Sequence, residues 1–297
     1  MTHIMPKTQK KTVAESNSRY ARIRLPHHQG SYNPQIIAGL AILGIIIVLV
    51  VAAPVFAHAD PTAQNLEEAM LGPSSRHLLG TDQFGRDIWA RLLYGGRTDL
   101  FVSMMAVLAP LCIGTVTGSF AGYFNGRMSR LVMRLCDLVS SFPFYVLVIV
   151  LVFVLGNGGM SIFLAITMVS WVPYTRIARG ETMVLRDDEF IASCRASGFS
   201  DIWVLIRHVI PNIASQGIVY AMSDIVINLG VIVTLSYFGL GIVPPTPDWG
   251  QMMNDGQQFL SAGKYGLTII PAAVIVLISL ALSFIGDGLA NVLKVRK

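Results

Sequence analysis

The chain has 297 residues, of which 53% are hydrophobic and 13% charged, and its formal net charge is +5. A charged fraction about half that of soluble domains, together with repeated runs of Ile, Leu, Val, Ala and Phe as long as a bilayer is thick, excludes a water-soluble globule. The 22 basic residues are scattered between the apolar runs instead of interleaving with aromatics on one patch, which excludes nucleic acid as a partner.

Residues 1–35 are polar and basic, with too few large apolar side chains to offset their ordering entropy, so this tail is expected to be mostly disordered. The apolar run that follows exceeds the length of a signal peptide and lacks a small-residue cleavage site; it reads as a retained membrane anchor. Asn33 and Pro34 mark its helix start. Hydropathy and length predict an all-α membrane protein with six transmembrane helices, at 36–57, 101–123, 135–155, 161–177, 213–236 and 267–285. The fourth is short and is followed by Arg176 and Arg179, which can snorkel to an interface. The organisation expected is a tail (1–35), a first span (36–57), an extracytoplasmic loop with an interfacial helix (58–100), a five-helix core (101–288) and a short tail (289–297).

Orientation follows from the basic residues. With the N-terminus inside, 17 of the 22 Lys and Arg residues are cytoplasmic, and the outer loops keep only Arg76, Arg86, Arg91, Arg97 and Lys264. Both termini are therefore expected in the cytoplasm.

In the first outer loop, Asp82 and Arg86 lie four apart, as do Asp87 and Arg91, while Ile88, Trp89, Leu92 and Leu93 share one helical face. This pattern predicts the interfacial helix, with Trp89 and Tyr94 at headgroup level. In the third span, Ser140, Ser141, Phe142, Pro143 and Tyr145 combine hydroxyls, aromatics and a kink-capable proline, a mixture that serves either a path or packing. Arg134 and Asp137 are placed near the inner interface, where they satisfy neighbouring backbone or each other.

The stretch 188–212 is too polar to span and too patterned for a linker. Ala192, Ser193, Ala196 and Ser197 put small side chains at helical spacing. Gly198 supplies a left-handed helix end, Ser200 caps the next helix and Asp201 favours its dipole. That second helix carries Ile202, Leu205, Ile206 and Val209 on one face, and Pro211 is expected to stop it before the fifth span. Two readings stand: an amphipathic loop on lipid headgroups, or a rigid elbow that receives force from a soluble partner.

Asp224 falls near the middle of the fifth span, with Ser223 beside it and Asn228 one turn on. A charge at that depth is costly unless paired or wetted, so the stripe faces the bundle interior, as an interhelical hydrogen bond or as a lining of a solute path. The candidate path residues are Ser141, Tyr145, Asp224 and Asn228. After the fifth span, residues 235–241 and 244–250 are rich in glycine and proline and read as a stiff outer connector.

Enzyme chemistry has no residues to rest on. The sequence contains no G-x-x-x-x-G-K-[ST], HExxH, Cys-x-x-Cys or nucleophile elbow, and Cys112, Cys136 and Cys194 lack metal-ligand spacing. No catalytic residue, metal site or bound cofactor is expected in this chain, and any ATP hydrolysis must come from another polypeptide.

Three strings carry a family resemblance. Ala192-Ser-Cys194, Gly198 and Ile210-Pro211 resemble the Glu-Ala-Ala loop of ATP-binding cassette importers, although Ala192 stands where the motif has glutamate. Leu79-Gly-Thr-Asp-x-x-Gly-Arg-Asp87 resembles the second-type (C-type) permease of the dipeptide, oligopeptide and nickel subfamily. So do the Ser236-x-x-Gly-Leu-Gly241 run and Gly286-Asp-Gly288, with Val231 and Ile232 where many relatives have an acid. The resemblance implies a type I importer permease in the inner (cytoplasmic) membrane. Its implied partners are a homologous second permease, two cytosolic ATP-binding subunits that hold ATP and Mg, and an extracytoplasmic solute-binding protein. It also implies that 188–212 is a coupling loop, with Ala192, Ser193, Cys194, Gly198, Asp201, Arg207 and Pro211 as its candidate residues. The solute expected is a peptide, with nickel or another small solute as alternatives. The rival reading is an ion-coupled secondary transporter, which needs a midplane acid such as Asp224.

Overall fold

The computed structural model describes residues 34–294; the Asn33 cap and the expected disordered tail up to residue 33 lie outside the described residues, while its last two residues, Pro34 and Gln35, are already helical. Pro34 opens the first helix, α1 (Pro34–Val51), whose all-round apolar surface is that of a lipid-facing span; the short α2 (Ala53–Phe56) extends it outward. There follow α3 (Ile88–Phe124), α4 (Arg127–Ser140), α5 (Phe144–Leu155), α6 (Gly159–Arg186), α7 (Glu189–Ala196), α8 (Asp201–Val204), α9 (Ile210–Tyr237), α10 (Trp249–Gln257) and α11 (Gly266–Lys294). Among the described residues five helices are long and apolar enough to cross a membrane, and the count is six where the bent pair α4 and α5 is taken as one span.

Three expectations about continuity are corrected. The interfacial helix does not exist separately: Ile88 begins α3, which runs without a break to Phe124. Its charged first turns are tolerated because they are not bare. Asp82, 0% exposed, accepts from Arg86 at 2.6 Å and from Arg91 at 2.8 Å, and Asp255 on α10 takes a second bond from Arg86 at 3.1 Å. Asp87 therefore does not pair with Arg91. It caps α3 through the Ala90 N–H at 2.7 Å and binds His77 Nδ1 at 2.8 Å. Trp89, expected at headgroup level, donates its indole N–H to the Phe56 carbonyl at 3.1 Å.

The third span is broken. α4 and α5 meet at 88°, because Pro143 has no N–H to continue the helix and its ring clashes with the preceding turn. Asp137 at this level pairs with Arg176 of α6 at 2.9 Å, not with Arg134. Finally, Pro211 does not stop the helix before it. A π-helical turn over Leu205–Val209 joins α8 to α9, and the Ile210 N–H reaches back to the Leu205 carbonyl. The widened turn makes room for a ring that a regular α-helix would reject.

Packing inside the bundle rests on close backbone approach. Gly114, Gly118 and Gly122 form a stripe on α3 pressed against α6; a Cβ at Gly118 would overlap the Thr175 carbonyl, and one at Gly122 would sit 2.7 Å from the Arg179 carbonyl. The Thr117 and Thr175 hydroxyls bond at 3.0 Å across the same seam. On the outer side, Trp249 is fully buried, donating its indole N–H to the Leu92 carbonyl at 2.9 Å and its backbone N–H to Asp99 at 3.0 Å. The glycine- and proline-rich connector thus delivers a tryptophan that locks α10 onto α3.

Candidate functional site: the cytoplasmic elbow and the buried polar centre

The elbow is built by local chemistry at each joint. Asp188 caps α7 through the Phe190 N–H at 2.9 Å, and Ser200 caps α8 through the Trp203 N–H at 3.3 Å. Between them the chain turns by a Schellman motif. Gly198 has φ +86°, its N–H meets the Arg195 carbonyl at 3.0 Å and the Phe199 N–H meets the Cys194 carbonyl at 3.3 Å.

One side of the elbow is seated in the bundle. Ile191, Val204, Leu205 and Val209 are completely buried and pack with Cys194, Ile213, Tyr123 and Ala178. The expected single face therefore divides: Leu205 and Val209 point inward, whereas Ile202 and Ile206 are exposed, because the π turn shifts the register of the stripe. The anchor is polar as well. Tyr123 at the end of α3 donates to Asp201 at 2.8 Å, Arg195 donates to the Tyr123 hydroxyl at 3.2 Å, and Arg195 also pairs with Asp201 at 3.2 Å.

The other side is open. Ala192, Ser193, Ala196 and Ser197 are exposed, as are Asp201, Arg207 and Pro211. Beside the small residues lies an exposed apolar surface of Phe190, Phe199, Ile202, Trp203 and Ile206. Phe199 stacks on Trp203 at 4.4 Å, and His208 is wedged edge-on between Trp203 and Phe190. Of the candidate coupling residues only Cys194 is buried; it belongs to the seat, not to the open face.

The four candidate path residues do not form one surface. Asp224 is 4% exposed and accepts from the Tyr174 hydroxyl at 2.8 Å, and Asn228 is fully buried with its amide 3.4 Å from the Ala106 carbonyl. Ser141 and Tyr145 are exposed around the break between α4 and α5, and Ser141 turns its hydroxyl back to the Asp137 carbonyl. Ser223 is exposed as well, so it leaves the expected polar stripe. Tyr174, the partner of Asp224, stands fifty positions away in the chain, and no local signal announces it. Among the described residues no three His, Cys, Asp or Glu side chains are grouped to hold a metal ion.

The family described as "Binding-protein-dependent transport system inner membrane component" matches residues 114–297, a stretch that includes the whole elbow. The chain belongs to that family. It is similar over most of its length to proteins called glutathione transport system permease protein GsiD. That of Pectobacterium atrosepticum is 34% identical over 256 residues, covering 86% of this chain and 85% of the relative. Those of Escherichia coli and Shigella boydii are each 36% identical over 279 residues, covering 92% and 91%.

As a binding-protein-dependent permease, the chain is the membrane-spanning component of an ATP-driven solute importer, a multi-pass protein of the inner membrane that works with ATPase subunits and is not itself the enzyme. Membership sets aside the ion-coupled alternative. The Tyr174 hydroxyl and Asp224 tie α6 to α9 across the bundle.

Proposed function

We propose that this chain pairs with a homologous second permease, is driven by two cytosolic ATP-binding subunits and is supplied by an extracytoplasmic solute-binding protein. The elbow 188–212 is its contact with an ATP-binding subunit. The observation that carries this reading is the two-sidedness of the elbow: one face locked to α3 and α9, the other presenting small residues beside exposed aromatics. Small side chains let a second backbone approach closely, and rigid exposed aromatics supply contact area at low entropic cost. A contact of this kind moves the permease only if it differs between the two nucleotide states of the motor, since equal contact shifts no equilibrium.

The solute is a small peptide of the glutathione class. Support for this comes from the names of the relatives, which cover the chain nearly end to end. Exposed Ser141 and Tyr145 contribute to its path at the break in the third span, next to a cavity of about 470 Å³ lined by Ser140, Phe142 and Pro173.

Co-purification tests the reading. Wild-type chain should bring down a second permease and ATPases, and Ser193→Cys or Ser197→Cys should cross-link to an ATPase in a nucleotide-dependent yield. Isolation of the chain alone, or cross-links only to lipid, would overturn it. Uptake of labelled glutathione and of a labelled dipeptide by the complete importer decides the solute class.

A further inference from the structure

The positive-inside rule puts five basic residues on the outer side, and four of them are engaged within the protein. Arg76 pairs with Glu68 at 2.5 Å, Arg86 and Arg91 with Asp82 at 2.6 and 2.8 Å, and Lys264 donates to the Met70 carbonyl at 3.0 Å. Arg97 is the exception. Among the described residues it has no carboxylate within ion-pair distance; its guanidinium lies 5.6 Å over the Tyr94 ring, which leaves the N–H edges free.

Next to Arg97 runs a groove of about 600 Å³ between α1 and α3, lined by Ile47, Val50, Val51, Phe101 and Met104. Thr98 at its rim turns its hydroxyl back to the Tyr94 carbonyl at 3.2 Å, so Arg97 is the charge of the site. With the N-terminus inside, α1 ends on the outer side, and Arg97 stands one turn before the uninterrupted apolar run of α3, at outer headgroup level.

We propose that this groove holds one phospholipid of the outer leaflet, its phosphate on Arg97 and an acyl chain along the groove. The two ends of the site demand different chemistry, an anion at one and hydrocarbon along the rest, and a phospholipid supplies both in one molecule. An apolar helix of a partner would fill the groove but leave the guanidinium without an anion at the membrane surface. Arginine recognises phosphate through two parallel N–H bonds, which also fixes the position of the lipid.

The test uses the complete importer, with its partner subunits, in nanodiscs of palmitoyl-oleoyl phosphatidylglycerol containing a diazirine-tagged phosphatidylglycerol. Photolabelling should concentrate on Phe101 and Met104 over Phe153, which is 77% exposed and serves as the bulk-lipid control. Arg97→Gln should lower labelling in the groove by about tenfold, the loss expected for a charge-assisted contact, and leave Phe153 unchanged. Arg97→Lys should restore part of it. Equal labelling of Phe101 and Phe153 in the wild type overturns the proposal even where the variants fail to assemble. So does efficient cross-linking of Val51→Cys to the second permease, which would assign the groove to that subunit.

Discussion

Tyr123 and Asp201 are joined by a 2.8 Å hydrogen bond between the cytoplasmic end of α3 and the first residue of α8, the tightest polar tie between the elbow and the bundle. Tyr123→Phe removes the donor and leaves Asp201 with Arg195 alone. A loss of about 1 kcal/mol is expected, the usual net worth of one intramolecular hydrogen bond. Uptake per ATP hydrolysed should fall while hydrolysis continues. The ratio of transport to ATPase activity in proteoliposomes measures this, and an unaltered ratio would remove Tyr123 from the coupling route.

Gly198 is required for its backbone, not for space. A Cβ there would meet nothing within 4 Å, yet φ is +86°. Gly198→Ala and Gly198→Val should cost roughly 1–2 kcal/mol or more at the turn, whereas Gly198→Asn, which visits the left-handed region readily, should cost less. Limited proteolysis of the elbow ranks the three. A side-chain-volume ranking in place of a backbone ranking would contradict the assignment.

The opposite logic holds at Gly118, where the helix is regular and the obstacle is the Thr175 carbonyl. Gly118→Ala should wedge α3 from α6 and lower stability by about 1–3 kcal/mol, the range for overpacking. Gly230→Ala, with nothing within 4 Å of its Cβ, is the matched control and should be neutral. Thermal midpoints in detergent distinguish them.

Asp248 caps α10 through the Gln251 N–H at 2.7 Å and is wholly buried. Burial pushes its carboxyl above the usual range, although hydrogen bonding opposes the shift. The sign follows from linkage: the folded state holds this proton more tightly than the unfolded chain. The stabilisation is full below the unfolded value of about 4 and is lost as pH rises through the folded one. Asp248→Asn should flatten that loss while preserving the cap. Melting curves at stepwise pH check it, and identical slopes for the two proteins would refute it.

Asp82 neutralises two buried arginines. Asp82→Asn leaves Arg86 and Arg91, 5% and 1% exposed, to share Asp255. The expected cost is about 3–5 kcal/mol, that of breaking a buried ion pair from one side. Loss of assembled importer from the membrane is the readout.

These contrasts also explain what could be read from residues alone. The elbow was legible because caps and a left-handed glycine are local devices: Gly198 and Ser200 act within three residues of where they stand. The apolar runs were legible because bilayer thickness sets their length. The extent of α3 was not, since Arg91 and Asp99 look like the end of a span until Asp82 and the Trp249 N–H are brought to them from elsewhere. Pro143 was legible as a kink, but the 88° size of the bend was not, because the hydropathy of the span continues on both sides of it. The π turn before Pro211 leaves no compositional trace. The α3 glycine stripe was overlooked although its four-residue spacing, Gly114, Gly118 and Gly122, was there to be found.

From Asp201 to Tyr237 the chain is one helical column of 37 residues, about 55 Å long at 1.5 Å per residue. Its inner end carries Trp203, and its outer end holds α10, where Asn254 donates to the Tyr237 carbonyl at 2.8 Å. A helix is stiff along its axis, so a push on the cytoplasmic end arrives at the far surface nearly undiminished. The one departure from α-helical geometry in the column is the π turn at Leu205–Val209, so under the coupling proposed above those five residues decide whether a stroke of the motor is passed on or absorbed.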